Sequence, residues 1–265
     1  MAEEDEIALI RKSLLDDGFA IIKSIVPDVE CDRFVSESIK PALDELTGFR
    51  EDDSSTFEGV EGAMVHNRGK DPIQGKDARW PALMESQRLN GILNALHGSG
   101  SWEWLHDDNV GWIHIRFPTK TQEQHEEMNR LPKVADYGWH VDGGHFDFHK
   151  YDSPEQSVIL LPMVRDVGAT GGATKIIRGS QKEVGEYLSY KGREGVHRRM
   201  LNEQIKLFLV KAILNKEPSR LTSAEAKKGD VLIIHPFLVH TASVNTIGQP
   251  WRITFNMGTR WKNRG

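Results

Sequence analysis

One stretch organises the rest of the sequence: Tyr137-Gly138-Trp139-His140-Val141-Asp142-Gly143-Gly144-His145. It is typical of a short strand that runs into a glycine turn. Side chains two residues apart on a strand project to the same face, so His140 and Asp142 are predicted to point together, with Cα atoms about 6–7 Å apart. An imidazole and a carboxylate at that separation can reach one small ion, and the glycines let the backbone turn away. Taken alone, the pattern is more typical of polar residues on a surface strand.

The composition narrows the possible function classes. The chain has 265 residues, of which 38% are hydrophobic, so we predict a single domain over residues 1–265 with one sizeable core. Its net charge is −5, which offers no basic field for nucleic acid or an anionic membrane. The single cysteine, Cys31, excludes an intramolecular disulfide framework and a multi-cysteine zinc site. Without a basic leader or a long apolar run, the sequence predicts a soluble, cytoplasmic protein.

Hydrophobic periodicity divides the chain into a helical front and a β-rich remainder. Helices are predicted over 4–16, from Pro27 onward and over 81–97, and a strand over 19–25. Later strand candidates are 112–117, 157–163, 173–177, 230–235, 238–242 and 251–259. Many strands separated by turns, with helices at the front, predict a sandwich or barrel with helical support.

One segment interrupts the β pattern. Residues 182–228 have helical character and are too long and too apolar for a plain loop, so we predict a helical insertion packed beside the barrel. Its middle is basic, with Lys191, Arg193, His197, Arg198 and Arg199. This charge fits a solvated helix face or, as the alternative, an anion-binding lid.

A third candidate ligand lies near the C-terminus. His240 follows the apolar Phe237-Leu238-Val239, and a buried neutral imidazole needs a partner, for which a metal ion is one solution. With His140 and Asp142 it completes two imidazoles and one carboxylate, the facial set of non-haem Fe(II) oxygenases. His235 precedes a proline and is interpreted as structural. The alternative is that His235, rather than His240, is the metal ligand.

Arg252 extends this constellation. Alternation along residues 251–257 places Arg252, Thr254 and Asn256 on one face and only apolar side chains on the other. A polar face opposite an apolar one indicates a polar cavity inside a barrel. An arginine there suits a bidentate carboxylate contact, and a structural ion pair is the alternative.

These residues resemble the iron- and 2-oxoglutarate-dependent dioxygenases, and more narrowly the phytanoyl-CoA dioxygenase family. Three further stretches resemble that family's motifs in the expected order: residues 17–22 (DGFAII), 170–181 (TGGATKIIRGSQ) and 245–252 (NTIGQPWR). Two positions depart from the family pattern. Arg178 stands where a proline is usual, and Gln181 where a histidine is usual.

The resemblance implies a mainly β fold with helical support, whose core is a double-stranded β-helix (a cupin-like jelly roll). It implies that His140, Asp142 and His240 hold Fe(II) and that Arg252 pairs with the far carboxylate of 2-oxoglutarate. Further candidate cofactor contacts, from their expected inward faces, are Thr174, His114 and Arg116. The implied reaction uses dioxygen to hydroxylate or desaturate a small molecule, with release of succinate and carbon dioxide.

Other interpretations stay open at this point. A protein or peptide hydroxylase, a non-catalytic metal- or ligand-binding jelly roll, and a cupin-type enzyme without 2-oxoglutarate would all use parts of the same constellation. The basic insertion favours an anionic substrate. His145 and His149 are interpreted as polar residues at the rim, or as an extension of the site, whereas Trp139 and Tyr137 line the pocket or pack.

Overall fold

The computed structural model describes residues 2–57, 80–105, 111–119, 121, 138–143, 147–153, 157–246 and 248–262. The helices in these ranges are α1 (Ala2–Asp16), α2 (Asp28–Phe34), α3 (Lys40–Thr47), α4 (Pro81–Met84), α5 (Gln87–His97), α6 (Gln181–Lys191), α7 (Arg198–Gln204) and α8 (Val210–Lys216). Two π-helical segments, Val35–Ile39 and Ile205–Leu209, join α2 to α3 and α7 to α8. No helix in these ranges is long and apolar enough to cross a membrane.

The strands form antiparallel sheets. In chain order they are β1 (Phe19–Ile22), β2 (Trp102–Trp104), β3 (Trp112–Arg116), β4 (Phe148–His149), β5 (Ile159–Pro162), β6 (Thr174–Ile177), β7 (Val196–His197), β8 (Leu221–Ala224), β9 (Val231–Ile234), β10 (His240–Ala242) and β11 (Arg252–Trp261). The major sheet has the order β1-β9-β5-β11-β2, with β3 also paired to β11. The minor sheet has the order β10-β6-β8, and β4 pairs with β7.

The major sheet lies between two apolar layers. Alternate residues of its strands, such as Leu160 and Ile233, join a core with the N-terminal helices. The intervening residues, such as Leu161 and Leu232, join a second core with Ile176 of the minor sheet. Since successive strand residues point to opposite faces, both faces of the sheet are buried. The predicted jelly-roll class, mainly β with helical support, is confirmed, although the sheets do not close into a barrel.

The inner face of the major sheet changes from apolar to polar across its width. On β5 and β9 it carries aliphatic residues, whereas on β11 it carries Arg252, Thr254 and Asn256. The opposite side of β11 is apolar, and Phe255 packs there against the N-terminal helices. Register places β3 beside this polar region, with Arg116 opposite Arg252 and His114 opposite Thr254. The polar face predicted from alternation therefore lies between the two sheets, at the β11–β3 end.

Three secondary-structure predictions differ from the structure. The helix predicted over 81–97 is two helices, because Ser86 starts α5 by accepting a hydrogen bond from the Leu89 N–H. The insertion predicted over 182–228 includes β8, which pairs with β6 and belongs to the minor sheet. The part of the His140 stretch that the structure describes, residues 138–143, is not a strand, and within it His140 alone forms an isolated bridge.

The two departures from the family motif have structural roles. Gln181 is buried, and its side-chain amide donates 3.0 Å to the carbonyl of Leu15 near the end of α1. Arg178 donates 2.9 Å to the carbonyl of Ser219, which connects the start of α6 to the end of the insertion. Both residues thus satisfy main-chain carbonyls rather than facing the polar cavity.

Candidate metal centre

The three candidate ligands meet between the minor sheet and the stretch that follows Gly138. The main chains of His140 and His240 exchange two hydrogen bonds of 3.1 Å, an isolated antiparallel bridge. Pairing of β10 with β6 fixes His240 opposite Ile176. One ligand atom from each of His140, Asp142 and His240 lies within 4.8 Å of the other two. The structure therefore brings together the residues that the sequence selected.

Both imidazoles are held in the form that binds a metal. Nδ1 of His240 donates 2.9 Å to the carbonyl of Leu238, and Nδ1 of His140 donates to the carbonyl of Gly138. Since a carbonyl only accepts, each proton lies on Nδ1 and each Nε2 keeps a free lone pair. Nε2 of His140 lies 4.0 Å, and Nε2 of His240 3.4 Å, from a carboxylate oxygen of Asp142.

Asp142 presents two different oxygens. Oδ1 accepts a 2.8 Å hydrogen bond from Nδ2 of Asn256, whereas Oδ2 is buried and has no hydrogen-bond partner in the part of the chain that the structure describes. A buried carboxylate oxygen without a donor is costly unless a cation is bound there. Two imidazoles and this carboxylate match the donor set of a non-haem iron site.

Protonation states agree with metal binding. Burial and the neighbouring His240 lower the pKa of His140 to about 4, and Lys206 acts in the same direction. Burial raises the pKa of Asp142, but His240, His140 and the Asn256 hydrogen bond together bring it below its ordinary value. The side chains of His140, Asp142 and His240 are 37%, 12% and 7% exposed. The centre therefore opens to solvent on the His140 side.

Arg252 is buried, and its side chain has one hydrogen-bond partner among the described residues. Its Nη2 donates 3.1 Å to the hydroxyl of Thr174, while its Nε is buried without a hydrogen-bond partner among the described residues. Burial and the nearby Arg116 lower its pKa to about 9. Gly172, at φ +77°, leaves room for it, since a Cβ there would lie 3.4 Å from Arg252 Cδ. A buried guanidinium with unused donors is suited to a carboxylate ligand.

His114 and Arg116 share the cavity face with Arg252. Burial, with Arg252 and Arg116 nearby, lowers the pKa of His114 to about 3, and Asp142 and His140 also act on it. His114 is therefore close to both arginines and to two of the candidate ligands. Arg116 is exposed, so it borders the cavity rather than filling it.

The other histidines and aromatic residues considered in the sequence analysis differ in their surroundings. His149 is 4% exposed, so its expected position at the rim was wrong. His235 accepts a 3.1 Å hydrogen bond from the Phe237 N–H and has a structural role, as predicted. Trp139 packs in the core formed with the insertion helices. The expectations for His145 and Tyr137 lie outside the described residues.

Three residues near the centre were not singled out from the sequence. Asn256 appeared only as a member of the polar face of β11, and no pattern pointed to its bond with Asp142. Asn202, on α7, accepts a 3.3 Å hydrogen bond from the Val141 N–H, which places the insertion against the metal centre. Lys206, one turn further, is half-buried and forms no ion pair with any described residue. Of the basic residues that the sequence did single out, Lys191, Arg193 and Arg199 are exposed, whereas His197 and Arg198 are half-buried.

Comparison with known families agrees with this geometry. The model of the phytanoyl-CoA dioxygenase (PhyH) family matches residues 14–253, which is most of the chain. The chain belongs to this family. Membership confirms the predicted enzyme class, the Fe(II)- and 2-oxoglutarate-dependent dioxygenases, with iron and 2-oxoglutarate as cofactors. No curated protein matches the chain in sequence.

Solved structures share the fold at low sequence identity. A non-haem monooxygenase, the ThoJ–Ni complex, is 12% identical with a TM-score of 0.56, over 95% of this chain and 77% of its own. AviO1 from Streptomyces viridochromogenes Tue57 is 16% identical with a TM-score of 0.51, over 97% and 95%. The epimerase SnoN, in complex with Fe3+, alpha ketoglutarate and nogalamycin RO, is 11% identical with a TM-score of 0.51, over 97% and 84%. At these identities the likeness concerns the fold.

Proposed function

We propose that this protein hydroxylates, or desaturates, a small molecule and that His140, Asp142 and His240 hold its Fe(II). The observation that carries the proposal is the grouping of two imidazoles and the Asp142 carboxylate within 4.8 Å of one another, with Oδ2 of that carboxylate buried and without a hydrogen-bond partner among the described residues. This donor set leaves three positions open for co-substrate and dioxygen. Iron bound there supplies the redox chemistry that couples decarboxylation of 2-oxoglutarate, to succinate and carbon dioxide, with oxidation of a substrate C–H bond.

The residues of the chain divide the remaining tasks. Arg252 holds the far carboxylate of 2-oxoglutarate with donors that no described residue uses, and Thr174 orients the guanidinium. The carbonyls of Gly138 and Leu238 keep both imidazoles in the ligating tautomer. Asp142 occupies the position that a halide would otherwise take, which favours hydroxylation or desaturation over halogenation. A cupin-type reaction without 2-oxoglutarate would leave the buried Arg252 without a function.

The first test is anaerobic visible absorption of the apoprotein, titrated with Fe(II) and then with 2-oxoglutarate. We expect a weak charge-transfer band that requires both additions. The band should be lost in His240→Ala, weakened in Arg252→Met and recovered there at higher 2-oxoglutarate. His235→Gln, at a half-buried histidine outside the centre, serves as the matched control and should keep the band. Wild-type protein that binds iron without this band would contradict the proposal and favour a cupin-type or non-catalytic role.

We further propose that the substrate is anionic, on the evidence of Lys206. This lysine is half-buried, and it is near enough to His140 to contribute to the lowering of the pKa of that histidine. It forms no ion pair within the described ranges, so its ammonium is available to a ligand. A half-buried cation is stabilised when an anion joins it. A carboxylate or phosphate group on a small molecule has this chemistry, whereas a peptide hydroxylase would need an open groove.

Matched probe pairs test the substrate class. Small carboxylic acids and their primary amides are screened for stimulation of succinate formation. We expect stimulation by members of the acid series, with KM about tenfold higher in Lys206→Met because one charge-assisted contact is worth about 1.5–3 kcal/mol. Lys211→Met, an exposed lysine of α8, should behave as wild type. Stimulation by amides alone, or an unchanged KM in Lys206→Met, would contradict an anionic substrate held by this residue.

A further inference from the structure

Among the described residues, the Asp142 carboxylate accepts a side-chain hydrogen bond at one oxygen only, Oδ1, which also lies 4.0 Å from Nε2 of His140. Nδ2 of Asn256 donates 2.8 Å to Oδ1, and Oδ2 lies 3.4 Å from Nε2 of His240 without a hydrogen-bond partner among the described residues. A carboxylate accepts and a side-chain amide nitrogen donates, so the orientation of the Asn256 amide is determined. The two oxygens are therefore chemically distinct before any ion is bound.

Asn256 is placed by the strand rather than by the loop that carries Asp142. It lies on β11 in register with Trp112 of β3, and its neighbours Phe255 and Met257 are buried on the opposite face. Its carbonyl is also tightly enclosed, since a Cβ on Gly111 would lie 2.2 Å from it. Thr254, the preceding residue on the same face, donates instead to the carbonyl of Pro162. The donor to Asp142 is thus fixed in space by a well-packed strand.

We infer that Asn256 is a positioning residue that keeps Asp142 a one-oxygen ligand, with Oδ1 reserved for the amide and Oδ2 for the metal. The inference rests on the proposed function, in which three positions remain for 2-oxoglutarate and dioxygen. The keto-acid end of 2-oxoglutarate takes two of them. A carboxylate that bound through both oxygens would take the last one, so no position would remain for dioxygen. The hydrogen bond from Asn256 opposes that mode by occupying Oδ1.

Asn256→Leu removes the donor with little change of side-chain volume. Hydrogen-bond partners of metal ligands typically contribute 10–100-fold to metal affinity or activity, and we expect 2-oxoglutarate turnover to fall by about that factor. Turnover alone would not separate positioning from a general structural effect. The decisive readout is infrared absorption of Mn(II)-loaded minus metal-free protein, labelled with ¹³C at the aspartate carboxyl. Ligation through one oxygen gives a wide frequency separation between the antisymmetric and symmetric carboxylate stretching bands. Ligation through both oxygens gives a narrow separation.

The expected result is a wide separation in wild type and a narrow one in Asn256→Leu. The matched control is Asn90→Leu, which also removes one amide hydrogen bond, to the carbonyl of Met84, but lies on α5 and should keep the wide separation. A wide separation and unchanged turnover in Asn256→Leu would overturn the inference.

A second pair of variants covers a failure of Asn256→Leu to fold or to bind metal. Asn256→Ser keeps a hydroxyl donor and Asn256→Ala keeps none. The inference requires a wide separation in the first and a narrow one in the second, and equal separations would overturn it. Wild-type protein without any metal-dependent carboxylate signal would instead contradict the proposed metal centre, which distinguishes that failure from a failure of the role of Asn256.

Discussion

Replacing Arg252 by methionine should change ligand binding and stability in opposite directions. The guanidinium is 4% exposed, and among the described residues it donates to Thr174 while its Nε has no partner. In the metal-free, co-substrate-free protein this is a buried charge with little compensation. With 2-oxoglutarate bound, the same group would meet a carboxylate. Removing the charge should therefore raise the stability of the apoprotein. It should also weaken the binding of 2-oxoglutarate, and so lower the stability of the complex.

The pKa of Arg252 sets the size of the first effect. A fall from 12.5 to about 9 corresponds to about 5 kcal/mol, at 1.36 kcal/mol for each pH unit. Methionine recovers only part of this cost, and apolar replacements of buried charged groups typically stabilise by about 1–4 kcal/mol. At roughly 2–4 °C for each kcal/mol, the apoprotein of Arg252→Met should melt at least about 2 °C higher than wild type.

The second effect follows from the lost carboxylate contact. Two charge-assisted hydrogen bonds are worth about 3 kcal/mol or more, so the Kd for 2-oxoglutarate should rise about 100-fold or more. Wild type at a ligand concentration of about 100 times Kd gains about 2.7 kcal/mol from binding. The variant at the same concentration should gain almost nothing.

One thermal-unfolding experiment measures both effects, with Mn(II) held constant and 2-oxoglutarate absent or present. Without 2-oxoglutarate the variant should melt above wild type, and adding 2-oxoglutarate should stabilise wild type by about 2 kcal/mol more than it stabilises the variant. Arg165→Met is the control, because Arg165 is paired with Glu51 and lies 4.5 Å above the Trp251 ring, so its loss should lower Tm in both conditions. A lower Tm for Arg252→Met without 2-oxoglutarate, or an equal ligand-induced shift in both proteins, would refute the reasoning.

Three further outcomes follow from individual residues. Burial lowers the pKa of His235 to about 4, whereas in the unfolded chain this imidazole takes up a proton near pH 6.5. Between about pH 6.5 and 4 the unfolded state therefore binds more protons, so the free energy of unfolding should fall as the pH drops through that range. His235→Gln should flatten this decline in urea titrations, and an equally steep decline would contradict it. Gly172→Ala should lower the free energy of unfolding by about 1–3 kcal/mol because the φ of Gly172 is +77°. It should also weaken 2-oxoglutarate binding, since Gly172 lies beside Arg252. Gly168 has open space around it, so Gly168→Ala should have neither effect. Burial raises the pKa of Cys31 to about 12, so a thiol reagent at pH 8 should react only in urea, and reaction of the native protein would count against the buried assignment.

Much of the candidate site could be predicted from local pattern. The chemistry of His140, Asp142 and His240 follows from residue type, and the inward face of Arg252 follows from the two-residue period of a strand. These features depend on a few neighbouring residues and survive errors in the surrounding secondary structure. His140 and Asp142 still converge although their stretch is not a strand, because the bridge to His240 holds it in place.

Pairings between distant segments were decided by the tertiary structure. Asn256 and Asp142 are 114 residues apart in the chain, and Asn202 reaches the Val141 N–H across 61. Alternation tells which face a side chain is on, but not which strand or loop lies opposite that face. The inclusion of β8 in the minor sheet, inside a segment of helical character, has the same origin, since β6 supplies its hydrogen bonds.

The sequence by itself therefore determined the class of chemistry and a β-rich fold with helical support, because ligand type and hydrophobic period are properties of short segments. The jelly-roll class followed from the resemblance to a known family. Only the tertiary structure decided which oxygen of Asp142 is free, which nitrogen of each imidazole is protonated and where the insertion meets the site. Each of these depends on a hydrogen bond whose donor and acceptor are set by the register of strands and the packing of helices. Such contacts form when the chain closes over long distances, and no local pattern encodes them.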